Sequence, residues 1–270
     1  MVSGKLDAPI GVFDSGIGGL TVVRALLEQL PGEQLIYFGD TARVPYGPKS
    51  PETVRRYSLQ IAEWLQSQDV KAIVIACNTA TAHALDALRE SLTIPVVGVV
   101  EPGARAAMQR SQQKVIGVIG TAGTIASGAY ERAIHRLAPE ATVHATACPL
   151  FVPLVEEGWT DHQATRLIAA EYLEPMRDAG VDTLVLGCTH YPLLAPVIAE
   201  VMGSNVVLID SAEETARETA RILREQALEA TGSGEPAHRF VASDAPDRVL
   251  AMGRRFLGDT IRAVDLETFT

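Results

Sequence analysis

The chain has 270 residues, of which 47% are apolar, enough to fill one large core or two smaller ones without disulfides or metal ions. Its formal charge is −10, from 33 acidic and 23 basic residues, and the basic residues form only short pairs such as Arg55-Arg56 and Arg254-Arg255, which argues against nucleic acid as the primary ligand. The 3 cysteines lack C-x-x-C spacing, no charged start leads into an apolar signal stretch, and the longest apolar runs, such as Ile94 to Val100, fall short of the roughly 20 residues of a membrane helix; a cytoplasmic protein with no membrane partner is expected.

Short apolar runs alternate with longer amphipathic stretches. In chain order, strands are predicted over Ile10 to Phe13, Leu35 to Phe38, Ala72 to Ala76, Pro95 to Val100, Val115 to Ile119, Val143 to Ala147, Thr183 to Leu186 and Val206 to Ile209. This alternation predicts an α/β fold of parallel sheets flanked by helices.

The runs also echo one another. Ile10 to Gly16 resembles Ile116 to Ala122; Leu35 to Gly47 resembles Val143 to Gly158, each read as a strand and a Pro-containing loop ending in Gly. Ala72 to Thr79 resembles Thr183 to His190, and Pro95 to Gly98 resembles Asn205 to Leu208. Four matches in the same order, about 110 residues apart, favour an internal duplication. The expected domains are 1–98 with 209–270, carrying Cys77, and 99–208, carrying Cys188. Glu229 to Pro236 reads as a loop, and Arg239 to Thr270, which has no counterpart in the first half, is expected to pack back onto the first domain.

The duplication gives weight to two thiols. A lone cysteine at a strand end reads first as a small buried hydrophobe. Cys77 and Cys188, however, close equivalent strands, each followed by Asn or Thr and a helix-like stretch. A thiol facing a helix N-terminus is biased toward thiolate, and matched thiols on two halves suit proton transfer to either face of one carbon. Asn78-Thr79 and Thr189-His190 fit helix caps and ligand contacts alike, while amides at such positions hold carboxylates and would supply the local attraction that an acidic chain needs for an anionic ligand. The turn Asp14 to Leu20 is glycine-rich but lacks G-x-G-x-x-G spacing and Gly-Lys-Ser/Thr, and its leading acid would repel phosphate, so a loop serving a small ligand fits better than a nucleotide cradle.

Together Asp14 to Leu20, Gly39 to Gly47, Ala76 to Ala80, Cys148 to Gly158 and Leu186 to Pro192 resemble the cofactor-independent glutamate racemases, over a span from about Ile10 to Ser211. The resemblance implies two pseudo-symmetric α/β domains with the active site between them, no cofactor and no metal. It further implies glutamate as substrate, a homodimer, and a role in making D-glutamate for peptidoglycan. It assigns Cys77 to D-glutamate and Cys188 to L-glutamate as opposing bases, with Asp14 assisting Cys77 and His190 and Glu156 assisting Cys188. Asp14, Ser15, Pro45, Tyr46, Gly47, Asn78, Thr79, Thr189 and His190 would hold the substrate. Read by residue type alone, Asp14 and His190 also suit caps, Glu156 with Glu157 a solvated pair, and Cys148 a structural position. Two rivals share parts of the pattern: an aspartate or hydantoin racemase on the same architecture, and a two-lobed binding protein, which would have no need of matched thiols.

Overall fold

The computed structural model describes residues 6–232 and 236–269. The chain divides into two compact units, Met1–Val99 with Thr215–Thr270, and Val100–Glu214.

The first unit begins with β1 (Ile10–Asp14), α1 (Leu20–Gln29), β2 (Leu35–Gly39), α2 (Pro51–Ser67), β3 (Ala72–Ile75), α3 (Asn78–Ser91) and β4 (Val96–Gly98). β1, β2 and β3 are buried along their whole length, as central strands covered on both faces must be. α2 starts where Ser50 accepts a hydrogen bond from the Thr53 amide at 3.3 Å and Pro51 takes a position that needs no donor. Phe13, Phe38, Ile61, Leu65, Ile73 and Ile75 form the centre of this unit's main core.

The second unit follows with α4 (Val100–Arg110), β5 (Val115–Gly120), α5 (Ala122–Ala126), α6 (Ala129–Leu137), β6 (Thr142–Ala147), α7 (Phe151–Glu156), α8 (Gln163–Asp178), β7 (Thr183–Gly187), α9 (Ala195–Met202) and β8 (Val207–Asp210). Its strands alternate sides as a pleated sheet requires. Ile119, Leu184 and Leu186 join one core with Phe151, Leu173 and Ile198, while Ile116, Val118 and Val185 point to a second core with Val100 and Ile134.

α10 (Ser211–Glu225) leads to β9 (Arg239–Ala242), α11 (Pro246–Leu257) and β10 (Asp265–Leu266). The sheets run β10-β9-β2-β1-β3-β4 and β6-β5-β7-β8, with every pairing parallel. The four strands of the second sheet thus repeat the order β2-β1-β3-β4 of the first, and β9 adds to the first sheet along β2.

Two local expectations change. The segment after β6 was expected to be a loop, but it contains α7, because Pro153 sits in the first turn, where its missing amide costs no intrahelical bond. No α-helix starts directly after Cys188: Thr189 and His190 form a turn, Tyr191–Leu194 a 3-10 helix, and α9 begins only at Ala195. Of the expected loop 229–236, residues 233–235 lie outside the described residues, and the rest has no regular structure. Among the described residues no helix is long and apolar enough to cross a membrane.

At the end of the first sheet remote from the cysteine, Lys71 Nζ lies 2.5 Å from Glu33 Oε2 and donates to Leu6 O at 2.6 Å, with both charged side chains almost fully buried. Glu33 Oε1 accepts from the Ala230 amide at 2.8 Å, so the pair ties the N-terminal segment to the chain returning after α10. Lys71→Met strands a buried carboxylate and should lower stability by about 3–5 kcal/mol, whereas Lys71→Met with Glu33→Leu should cost clearly less. Urea unfolding of the two variants checks the order.

Candidate active site

In the first unit, β1 pairs with β3 so that Phe13 lies opposite Ile75, and the Ala76 amide continues the ladder by donating to Phe13 O at 2.9 Å. One residue beyond the ladder Ser15 therefore faces Cys77, and the Cys77 thiol donates to Ser15 Oγ at 3.6 Å. Cys77 is also the N-cap of α3, its Sγ accepting from the Ala80 amide at 3.4 Å. A sulfur that closes a helix N-terminus sits in the positive end of the helix dipole, which favours negative charge on it. Asn78 and Thr79, both buried, supply the two preceding amides, beyond the reach of the helix's own carbonyls.

Asp14 is 1% exposed, and its Oδ2 accepts from the amides of Gly16 at 3.1 Å and Gly19 at 3.0 Å. The glycine-rich turn is thus wrapped around a carboxylate of its own. A Cβ at Gly19 would stand 2.5 Å from Asp14 Cβ, so only glycine permits this approach. Tyr37 donates to Gly16 O at 2.9 Å from the other side. Its hydroxyl is held in the protonated form, pushed well up by burial and then by the charges of Asp14 and Cys77.

The loop after β2 carries the other expected contacts of this unit. Pro45 is exposed, Gly47 half-buried and Tyr46 buried, with the Tyr46 hydroxyl donating to Asp40. Burial, then the Asp40 charge and hydrogen bond, raise the Tyr46 phenol far above its ordinary range, so it remains a donor. Asp40 and its partner Ser243, which donates to Asp40 Oδ1 at 2.8 Å, had no assigned role from the sequence. Asp40 lies in a recognised motif, but Ser243 is 203 residues away and carries no local signal.

In the second unit, β5 and β7 end together at Gly120 and Gly187, which brings Thr121 and Cys188 to the places of Ser15 and Cys77. Thr121 caps α5 by accepting from the Thr124 amide at 3.2 Å. Cys188 is 7% exposed, and its Sγ lies 3.9 Å from His190 Nδ1. Glu156 Oε1, from the end of α7, stands 3.3 Å from His190 Nε2, near enough to favour a proton on that nitrogen and to leave Nδ1 as an acceptor toward the thiol. Glu156, His190 and Cys188 therefore form one chain of contacts, with Thr189 buried between the last two.

Cys148 belongs to neither arrangement. It is fully buried beside Phe151 and Tyr191, and its carbonyl accepts from the Tyr191 hydroxyl at 2.9 Å. Burial and then the charge of Cys188 push its thiol far up, keeping it protonated. Among the described residues no group of three or more His, Cys, Asp or Glu side chains could hold a metal ion.

A sheet order used twice, each copy closing its third strand on a thiol, defines a duplicated α/β protein with one thiol at the matching strand end of each unit. The chain belongs to the Asp/Glu/Hydantoin racemase family, whose model matches residues 10–219. It is 59% identical over 249 residues to a glutamate racemase of Geobacter metallireducens, covering 92% of each chain. Its structure is similar to that of a glutamate racemase isoform from Bacillus anthracis, with a TM-score of 0.92, 42% identity and 97% of each chain covered. A glutamate racemase from Francisella tularensis, solved in complex with D-glutamate, matches with a TM-score of 0.91 and 40% identity over 97% of this chain and 98% of that one.

Cys148 gives a direct check of the burial argument. Its raised pKa leaves negligible thiolate at pH 8, so iodoacetamide should leave it unmodified in the native protein and label it in concentrated urea. Peptide mapping by mass spectrometry reads the difference.

Proposed function

We propose that this chain is an amino-acid racemase interconverting L- and D-glutamate through proton transfer at Cα by two cysteines. The observation that carries the reading is one thiol closing the third strand of each repeated sheet, Cys77 after β3 and Cys188 after β7, in a chain whose relatives are glutamate racemases. Glutamate as the small-molecule partner, a second copy of the chain as the assembly partner, and the cytoplasm, where thiols stay reduced, belong to the same reading.

With D-glutamate bound, Cys77 acts as thiolate. Its sulfur takes the α-proton as the Cα–H bond breaks, and the electron pair remains on the substrate, delocalised into the α-carboxylate. Cys188, carrying a proton, then delivers it to the opposite face, which yields L-glutamate and leaves Cys188 as thiolate. The reverse direction exchanges the roles. A reaction run both ways needs two bases of similar strength, which a pair of thiols provides more readily than unlike residues.

The neighbours differ because the half-sites differ. A carboxylate near a thiolate strengthens its hold on a proton, and Asp14 is assigned that assistance for Cys77. His190, oriented by Glu156, passes a proton to or from Cys188. The first-turn amides of α3 at Asn78 and Thr79, the Ser15 hydroxyl, the Pro45-Tyr46-Gly47 loop and Thr189 hold the substrate's charged groups. Helix-terminal amides bind a carboxylate without a basic side chain, which suits a chain whose net charge is −10.

Cys77→Ala and Cys188→Ala should each reduce racemisation of both enantiomers by roughly 10²–10⁴-fold, the range for loss of a positioned acid or base. Chiral chromatography of the product measures it, and near-native turnover by either variant would contradict the scheme. Elimination of HCl from a β-chlorinated glutamate needs only one base, since the α-proton leaves to sulfur and the electron pair expels chloride. Cys77→Ala should therefore keep elimination from the L-configured substrate alone, and Cys188→Ala from the D-configured one alone.

A further inference from the structure

Asp40, directly after β2, is fully buried and is the meeting point of three side chains. Arg43 Nε donates to its Oδ1 at 2.9 Å and to its Oδ2 at 2.7 Å, the Tyr46 hydroxyl donates to Oδ2, and Ser243 Oγ donates to Oδ1 at 2.8 Å. A buried carboxylate is tolerable only when so satisfied, and each partner that satisfies it also fixes its orientation.

One of these three partners, Ser243, comes from the end of the chain. Ser243, one residue past β9, also accepts from the Ala42 amide at 2.9 Å through Oγ, and its own amide donates to Gly39 O at 3.0 Å. Its neighbour Asp244 exchanges two hydrogen bonds with Thr41: the Thr41 hydroxyl donates to Asp244 O at 2.6 Å and accepts from the Asp244 amide at 2.9 Å. The Arg43 guanidinium lies on the faces of two rings, 4.2 Å from the Tyr57 centroid and 4.7 Å from that of Phe269. Within the intervening loop Ala42, Val44 and Pro45 are exposed, while Tyr46 packs into the first unit's main core and Arg43 also donates to Gln60 Oε1 at 2.6 Å. The exposed residues on either side of Tyr46 are tied down chiefly through these hydrogen bonds and ring contacts.

We infer that Ser243 is a positioning residue for substrate binding, joined by Phe269, which acts through Arg43: both orient Asp40, which holds Tyr46 and with it the Pro45-Tyr46-Gly47 loop. The inference rests on the racemase reading of that loop. It gives the C-terminal segment, which has no counterpart in the second unit, a place in glutamate recognition.

The test is steady-state kinetics of the full-length protein with D- and L-glutamate. Ser243→Ala removes a donor to a buried carboxylate and an acceptor for the Ala42 amide, and should raise KM for both enantiomers about tenfold while kcat stays within about threefold. Ser243→Thr keeps the hydroxyl and should restore KM to within about threefold of wild type. Phe269→Ala removes one ring from Arg43 and should raise KM by about threefold. A KM that is unchanged in Ser243→Ala, or a loss of kcat at constant KM, would overturn the inference. If Ser243→Ala does not fold, Phe269→Ala decides alone, and an unshifted KM there overturns it. Wild-type turnover is the control: its absence removes the racemase reading and this inference together, whereas wild-type turnover with unshifted variants removes this inference only.

Discussion

The parallel register of two strand pairs sets everything else in place. β1 and β3 run in register to Phe13 and Ile75, and β5 and β7 to Gly120 and Gly187, so the residues just past each ladder lie side by side. That puts Ser15 beside Cys77 in one unit and Thr121 beside Cys188 in the other. Strands buried on both faces cannot slip by a residue without turning every side chain into the wrong core, so the thiols inherit the precision of the sheet. Gly187 belongs to the same constraint, because a Cβ there would stand 2.6 Å from Ile119 O on the neighbouring strand. Chemistry at the carboxyl ends of parallel strands is the usual arrangement of open α/β sheets.

The repeat stops at the thiols. Cys77 caps a 14-residue helix with its own sulfur, whereas Cys188 enters a turn and faces an imidazole backed by Glu156. In the proposed function, local amides would offset the repulsion between an acidic protein and an anionic substrate, because they act at contact distance while the field of exposed charges is screened beyond about 8 Å at physiological salt.

Much of this was legible in the residues. The apolar runs closing on Cys77 and Cys188 carry the strands, and their ordered recurrence carries the duplicated sheet, because fully buried parallel strands read as continuous apolar stretches. β9 and β10 were not readable: β9 offers only the three apolar residues Phe240 to Ala242, and the two-residue edge strand Asp265-Leu266 is exposed. The helix expected after Cys188 failed because Thr-His-Tyr-Pro looks like a helix start by composition, yet the chain makes a turn and a 3-10 segment before α9 begins. The tie between Asp40 and Ser243 is a matter of tertiary placement, since nothing near either residue announces a partner 203 positions away. Glu156 and Glu157 looked alike in sequence; the position of Glu156 at the end of α7, 3.3 Å from His190, is what separates them.

The central claim is that the proton removed and the proton delivered belong to different cysteines. Racemisation in D₂O, stopped after a few per cent conversion and analysed by mass spectrometry of the separated enantiomers, tests it most directly. Starting from either enantiomer, the inverted product should carry deuterium at Cα while the recovered substrate keeps protium, because the delivering thiol has exchanged with solvent. Product that retains protium, or substrate that gains deuterium as fast as product forms, would contradict the account.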